Sequence, residues 1–187
     1  MDKMKILVLG DVSRSSSCDY LAENLRRFQR ENDVCFTVVN GENSAEGNGI
    51  DVYSAKMLFS AGADVITTGN HAFRRYEAKE LFESCRTVLR PANFPDHVPG
   101  EGACIAEAGG MSILVLNLMG IVMMEPVENP FTAADKILRR YEGKYDLSIL
   151  DFHAEATSEK LALAHYLDGK ITIMAGTHTH VTTADEC

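Results

Sequence analysis

The chain has 187 residues, 45% of them hydrophobic and 24% charged, which suits one ordinary globular domain whose core needs no disulfide staples. Eighteen basic against 27 acidic residues give a formal net charge of −9, which argues against tight, sequence-independent binding to long nucleic acid, since that needs a basic face. A small phosphorylated substrate stays open, because bound cations reverse the local field.

In chain order, Lys5–Leu9 is an apolar run of strand length. It is too short for the apolar core of a signal peptide and ends in Gly10-Asp11. Tyr20–Glu31 places Leu21, Leu25 and Phe28 at helical spacing, and Val34–Val39 is β-branched and predicts a second strand. Asp51 can cap a helix holding Val52, Met57 and Leu58 that stops near Gly62. Asp64–Thr68 predicts a strand, Glu77–Ser84 a helix and Val88–Leu89 a short strand. Ala103–Glu107 and Ser112–Asn117 flank Gly109-Gly110 and predict a hairpin. Thr132–Tyr141 predicts a helix, Leu147–Leu150 a strand, Thr157–Leu167 a helix and Ile171–Ala175 a last strand. Such alternation implies parallel βαβ units, with antiparallel pairing added by the hairpin. No run approaches the roughly 20 apolar residues of a membrane span. Five cysteines without CxxC spacing read as reduced thiols, so the expected location is the cytoplasm.

The informative pattern is positional. Five predicted strands run into polar clusters: Gly10-Asp11, Asn40-Gly41-Glu42-Asn43, Gly69-Asn70-His71, the segment DFHAE at 151–155, and the segment GTHTH at 176–180. In parallel α/β sheets, ligands gather beyond the carboxyl ends of the strands, so all five clusters should face one crevice. Asp11 and Glu42 are hard anionic ligands, Asn43 and Asn70 offer amide oxygens, and His71, His153, His178 and His180 offer imidazoles. Mixed carboxylate and imidazole ligation suits Mn, Fe, Zn or Ni better than Mg or Ca alone. Eight such groups exceed the needs of one tetrahedral ion and suit two ions about 3.5–4 Å apart, with Glu42 as the candidate bridge. Singly, each has a plainer reading. Asp11 would be a helix cap, the asparagines turn residues, a lone histidine a surface group. His178 and His180 make a stronger pair, because alternate residues of an extended segment point the same way. His97 and His165 fall outside the clusters and are assigned no role.

The segments GDV, NGEN, TTGNH, LRPAN, DFHAEATSEK and GTHTHVTTADE, in this order from Lys5 to Glu186, resemble the YmdB-like branch of the calcineurin-like metallophosphoesterases. The resemblance implies an αββα sandwich, two mixed β-sheets flanked by helices, in a single domain over 1–187. It implies a 2′,3′-cyclic nucleotide phosphodiesterase with two metal ions, iron or manganese, with zinc sharing the same ligand chemistry. Asp11, Glu42, Asn43 and His180 would then hold the first ion, and Asn70, His153 and His178 the second, with Glu42 bridging. His71 would donate a proton to the leaving group. A small phosphodiester or nucleotide is the implied partner, with no long nucleic acid and no membrane, and relatives imply a homo-oligomer. Departures from the family pattern are Ser13-Arg14-Ser15-Ser16-Ser17 in place of a glycine-containing loop, Ala72-Phe73-Arg74-Arg75 after GNH, and Ile121 where arginine is usual. Arg14, Arg74 and Arg75 stand beside the clusters as candidates to hold a phosphate or base, solvent-facing arginines being the plainer reading. Relatives continue past the position of Cys187 with further strands, so an exposed sheet edge favouring association is expected. The alternative reading is a shortened, catalytically weak or inactive relative acting through metal or partner binding. A metal-free nucleotide-binding domain ranks lower, since GDVSRSSS lacks GxGxxG.

Overall fold

A computed structural model describes residues 4–184. The first half of the chain forms β1 (Lys5–Leu9), α1 (Arg14–Asn32), β2 (Val34–Asn40), α2 (Val52–Ala61), β3 (Val65–Thr67), α3 (Ala78–Ser84) and β4 (Val88–Leu89). The second half forms β5 (Ala103–Ala108), β6 (Met111–Met119), α4 (Pro130–Tyr141), β7 (Leu147–His153), α5 (Thr157–Leu167) and β8 (Ile173–Thr177). Each strand of the first half is joined to the next by a helix, and the sheet β1-β2-β3-β4 is parallel throughout. In the second sheet, β5-β6-β7-β8, only β5 and β6 pair antiparallel, through a tight turn in which Gly109 and Gly110 have φ of 58° and 77°. Two mixed sheets were expected; only the second is mixed. A helical crossover is long enough to bring the chain back parallel, whereas a two-glycine turn reverses it.

The two sheets pack face to face. Phe36, Val38, Val65 and Leu89 of one meet Ile113, Val115, Leu147 and Ile149 of the other. The outer face of the first sheet packs residues such as Val39 and Ile66 against Cys18, Leu58 and Phe82 of α1, α2 and α3. The outer face of the second packs Leu116, Leu118 and Phe152 against Ala134 and Leu163 of α4 and α5. The result is the four-layer αββα sandwich that the sequence implied. Among the described residues, no helix is long and apolar enough to cross a membrane.

Element boundaries differ from the sequence reading where polar residues hide backbone structure. The start of α2 is as predicted: the Asp51 carboxylate accepts from Ser54 N at 2.7 Å and Asp51 N donates to Ser54 Oγ at 3.1 Å, a reciprocal cap. By contrast α1 begins at Arg14 rather than Tyr20. Its first turn is the exposed serine run, which carries no apolar periodicity, and only Cys18 marks the buried face. The last strand starts at Ile173 rather than Ile171, because Ile171 N still bonds Leu167 O at 3.1 Å to close the end of α5. β8 is therefore shifted toward the GTHTH segment and ends at its first threonine.

Candidate metal centre

The carboxyl ends of β1, β2, β3, β7 and β8 come together where the two sheets meet, and buried polar side chains bind those ends to one another. Asn40 at the end of β2 donates Nδ2 to the Asp151 carboxylate of β7 at 2.8 Å, and Thr67 of β3 donates its hydroxyl to the same oxygen at 2.5 Å. Asn117 of β6 accepts from Thr68 N at 3.1 Å. These bonds tie the first sheet to the second at the rim, which fixes how far the strand-end loops stand from each other.

On that frame three predicted groups crowd around one nitrogen of a fourth, His153. His153 Nε2 lies 3.0 Å from His178 Nδ1, 3.1 Å from Asn70 Oδ1 and 3.2 Å from Glu42 Oε1. Glu42, His153 and His178 each offer a ligand atom, all within 4.8 Å of one another. Beside this group, His180 Nε2 lies 2.9 Å from Asp11 Oδ2 and 3.5 Å from the amide nitrogen of Asn43. Asn43 Nδ2 also donates to Glu42 Oε1 at 3.0 Å, so Glu42 touches both groups. His71 Nδ1 lies 3.2 Å from Glu42 Oε1 and 3.0 Å from Asn43 Oδ1, and His71 N donates to Glu42 Oε2 at 3.1 Å. All eight predicted residues therefore converge. The Asn43 amide presents nitrogen, not oxygen, toward His180, because its oxygen is turned to His71 Nδ1 and its nitrogen to the Glu42 carboxylate.

Three features fit this pocket to cations. Asp11 Oδ1 is buried without a hydrogen-bond partner, a position that costs free energy unless a positive charge meets it. Gly69 supplies the room: a Cβ there would overlap His153 Cδ2 and Nε2 and Glu42 Oε2. The donors are anionic oxygen, amide oxygen and imidazole nitrogen, the mixture that intermediate divalent metals prefer. Backbone strain marks the same place, since His178 and His180 have φ of 96° and 53°, a region that non-glycine residues occupy at a cost of ~1–3 kcal/mol each.

The electrostatics are tightly coupled. Burial alone would raise the Glu42 carboxyl, but its hydrogen bond and charge interaction with His153, with help from His71, hold it down at about 2. Burial would lower His153; the Glu42, Asp11 and Asp151 carboxylates reverse this and raise it. Asp11 is raised by burial, with Glu42 adding to the rise and His153 and His180 opposing it. His178 is lowered, by burial first and then by the neighbouring His153.

One predicted geometry is wrong although its residues arrive. His178 and His180 were to share a face of an extended segment, but β8 ends at Thr177, and each histidine turns through a left-handed residue. His178 thereby reaches His153 and His180 reaches Asp11. Of the arginines, Arg14 and Arg74 are exposed, while Arg75 Nε donates to Asn48 O at 3.1 Å and closes the turn at Gly47–Gly49. His97 and His165 are exposed. Asp185 and Glu186 of the final motif, and Cys187, lie outside the described residues. Sequence reasoning missed Asp151, Thr177 and Glu155, which back the histidines, and Glu159. The buried Glu159 carboxylate accepts from Ile121 N at 2.9 Å and Val122 N at 3.2 Å. It thereby sets the loop leading to Met123 and Met124, which with Glu125, Asn70 and His178 line a pocket of about 360 Å³. A larger cavity of about 740 Å³ lies between α5 and the outer side of β8 and contains none of the candidate ligands.

An αββα sandwich that gathers carboxylate, amide and imidazole donors at the ends of its parallel strands is a metallophosphoesterase-like fold. The sequence is 40% identical over 182 residues to a Bacillus subtilis protein named 2′,3′-cyclic-nucleotide 2′-phosphodiesterase, covering 97% of this chain and 69% of that one. Residues 7–187 match the family described as YmdB-like protein, and the chain belongs to that family. A crystal structure of a hypothetical protein from Thermus thermophilus superposes with a TM-score of 0.90 at 42% identity, covering 97% of this chain and 70% of that one. A Mycoplasma pneumoniae structure described as a novel phosphatase superposes with a TM-score of 0.90 at 32% identity, covering 99% and 67%.

Proposed function

We propose that the chain hydrolyses small phosphodiesters with the aid of two metal ions, and that 2′,3′-cyclic nucleotides, the substrate class in the name of the B. subtilis relative, are its substrates. The chain is a hydrolase of phosphoric diesters. The observation that carries the metal-dependent reading is the convergence of Glu42, Asn70 and His178 on His153 Nε2 beside a buried Asp11 oxygen with no hydrogen-bond partner. Asp11, Glu42, Asn43 and His180 would hold one cation, and Glu42, Asn70, His153 and His178 the other. Iron, manganese and zinc all suit such mixed carboxylate, amide and imidazole ligands. When bound, the ions supply an activated water near neutral pH and neutralise charge at phosphorus.

The chain's own residues do the rest. Glu42, ionised throughout the working range, brings the two cation positions together. Asn70 and His178 border the pocket of about 360 Å³, where Met123 and Met124 give the organic part of a diester an apolar wall. His71 is held at Nδ1 by Glu42 and Asn43, which leaves Nε2 to face the leaving oxygen.

His71→Asn is expected to keep the bound metal while lowering kcat by ~10²–10⁴, the usual worth of a general acid. Metal content and turnover of 2′,3′-cyclic AMP, measured on one preparation, check this; loss of metal would make His71 a ligand instead. Metal uptake by the unaltered chain with no turnover of 2′,3′-cyclic AMP or bis-p-nitrophenyl phosphate in Mn²⁺ would favour a metal-binding protein without this activity.

A further inference from the structure

The two histidines nearest each other in the cluster present different nitrogens to the same point: His153 presents Nε2 and His178 presents Nδ1, 3.0 Å apart. An imidazole binds a cation through a nitrogen that carries no proton, so each ring must keep its proton on the opposite nitrogen, and something must hold it there. The opposite nitrogens are both engaged. His153 Nδ1 lies 2.9 Å from Thr177 Oγ1, and Thr177 Oγ1 lies 2.7 Å from Asp151 Oδ1. A threonine hydroxyl has one proton. Donated to the Asp151 carboxylate, it leaves the oxygen to accept from Nδ1–H of His153. Asp11 Oδ1, 3.8 Å from the same nitrogen, adds negative potential on that side. His178 Nε2 lies 3.1 Å from Glu155 Oε2, and a carboxylate can only accept, so Nε2 keeps the proton and Nδ1 is free of it.

We propose, building on the metal-binding reading above, that Asp151 acting through Thr177, and Glu155 acting directly, are positioning residues that hold His153 and His178 in opposite tautomers. The arrangement aims Nε2 of one ring and Nδ1 of the other at a single cation. Asp151, His153 and Glu155 fall in one segment, DFHAE, the end of β7 and the bend that follows it, so one short stretch supplies a ligand together with the groups that orient two ligands. Asp151 is itself held by Asn40 and Thr67 from the first sheet, which makes the tautomer of His153 depend on how the two sheets meet.

The test is zinc binding by the full chain, read by competition with a chromophoric chelator, with long-range ¹⁵N–¹H NMR of the imidazoles in the zinc-loaded protein. Thr177→Val keeps shape and loses the hydroxyl; Thr177→Ser restores it. Glu155→Leu removes the acceptor; Glu155→Gln restores one. The valine and leucine variants are expected to bind zinc ~10–100-fold more weakly, as losses of such outer partners do, and the serine and glutamine variants to bind close to the unaltered chain. The NMR is expected to show the proton on Nδ1 of His153 and on Nε2 of His178. Glu155 is half exposed, so its variants report even where a change at the buried Thr177 unfolds the chain. Unchanged affinity in Glu155→Leu, or the reverse tautomers, overturns the inference while leaving the metal site standing. Failure of the unaltered chain to take up zinc overturns both.

Discussion

Glu42→Gln is expected to lose metal and turnover together. The Glu42 side chain is 1% exposed, and its two oxygens meet His153 Nε2 at 3.2 Å, His71 Nδ1 at 3.2 Å, Asn43 Nδ2 at 3.0 Å and His71 N at 3.1 Å. Glutamine has nearly the same volume, so packing changes little. What changes is charge: with its carboxyl held at about 2, Glu42 is an anion at every working pH, and the substitution deletes that charge from the middle of the cluster. It also turns one acceptor into a donor that faces other donors, leaving a buried group unsatisfied. Because Glu42 touches both halves of the site, its loss would disturb both of the proposed cation positions at once. We expect fewer than two metal equivalents per chain and a fall in kcat/KM of at least about 10²–10³, the scale of losing one strong electrostatic stabiliser. Elemental analysis and kinetics on the same preparation decide the matter; full metal content with near-normal turnover would remove Glu42 from the bridging position.

Gly69→Ala is expected to be as damaging without changing any charge or ligand. The added Cβ would occupy the space between His153 and Glu42, overlapping atoms of both. Both side chains are buried, with His153 tied through Thr177 to Asp151, so neither swings away cheaply. The ligands must part, and misplacement of reacting groups by about 1 Å already costs about 10²-fold in rate. The contrast is Gly10→Ala, two strands away, where a Cβ meets nothing within 4 Å and metal content and rate are expected to stay as they are. If Gly69→Ala retained metal and rate, the cation position would have to lie elsewhere.

Much of this site was legible in the sequence because parallel topology gives strand ends a common address. Asp11, Glu42, Asn70, His153 and His178 each follow an apolar run, and the runs are joined by helices, so their convergence follows from connectivity. What was not legible depends on backbone conformation and on partners distant in sequence. Nothing in Gly176-Thr177-His178-Thr179-His180 announces that the strand stops at Thr177 and that both histidines are left-handed. The serine run that opens α1 reads as a loop because a helix's first turn needs no apolar residues. Asp151 and Thr177 were given no role of their own within their clusters. Alternation along β7 places Asp151 and His153 on one face, a signal that was available, but the bond between Asp151 and Asn40 spans 111 residues and belongs to the packing of two sheets. Glu159 lies in the first turn of α5, and its carboxylate also holds the loop beside the pocket, a contact across up to 38 residues that the helix itself does not announce.

Whether two cations sit among these residues and drive hydrolysis is decided by the metal content of the full chain purified without chelator and then titrated with Mn²⁺, followed by turnover of 2′,3′-cyclic AMP before and after chelation. Two equivalents of metal per chain are expected, with hydrolysis that chelation abolishes and metal restores. A chain that takes up no metal, or one whose hydrolysis is indifferent to chelation, would contradict this.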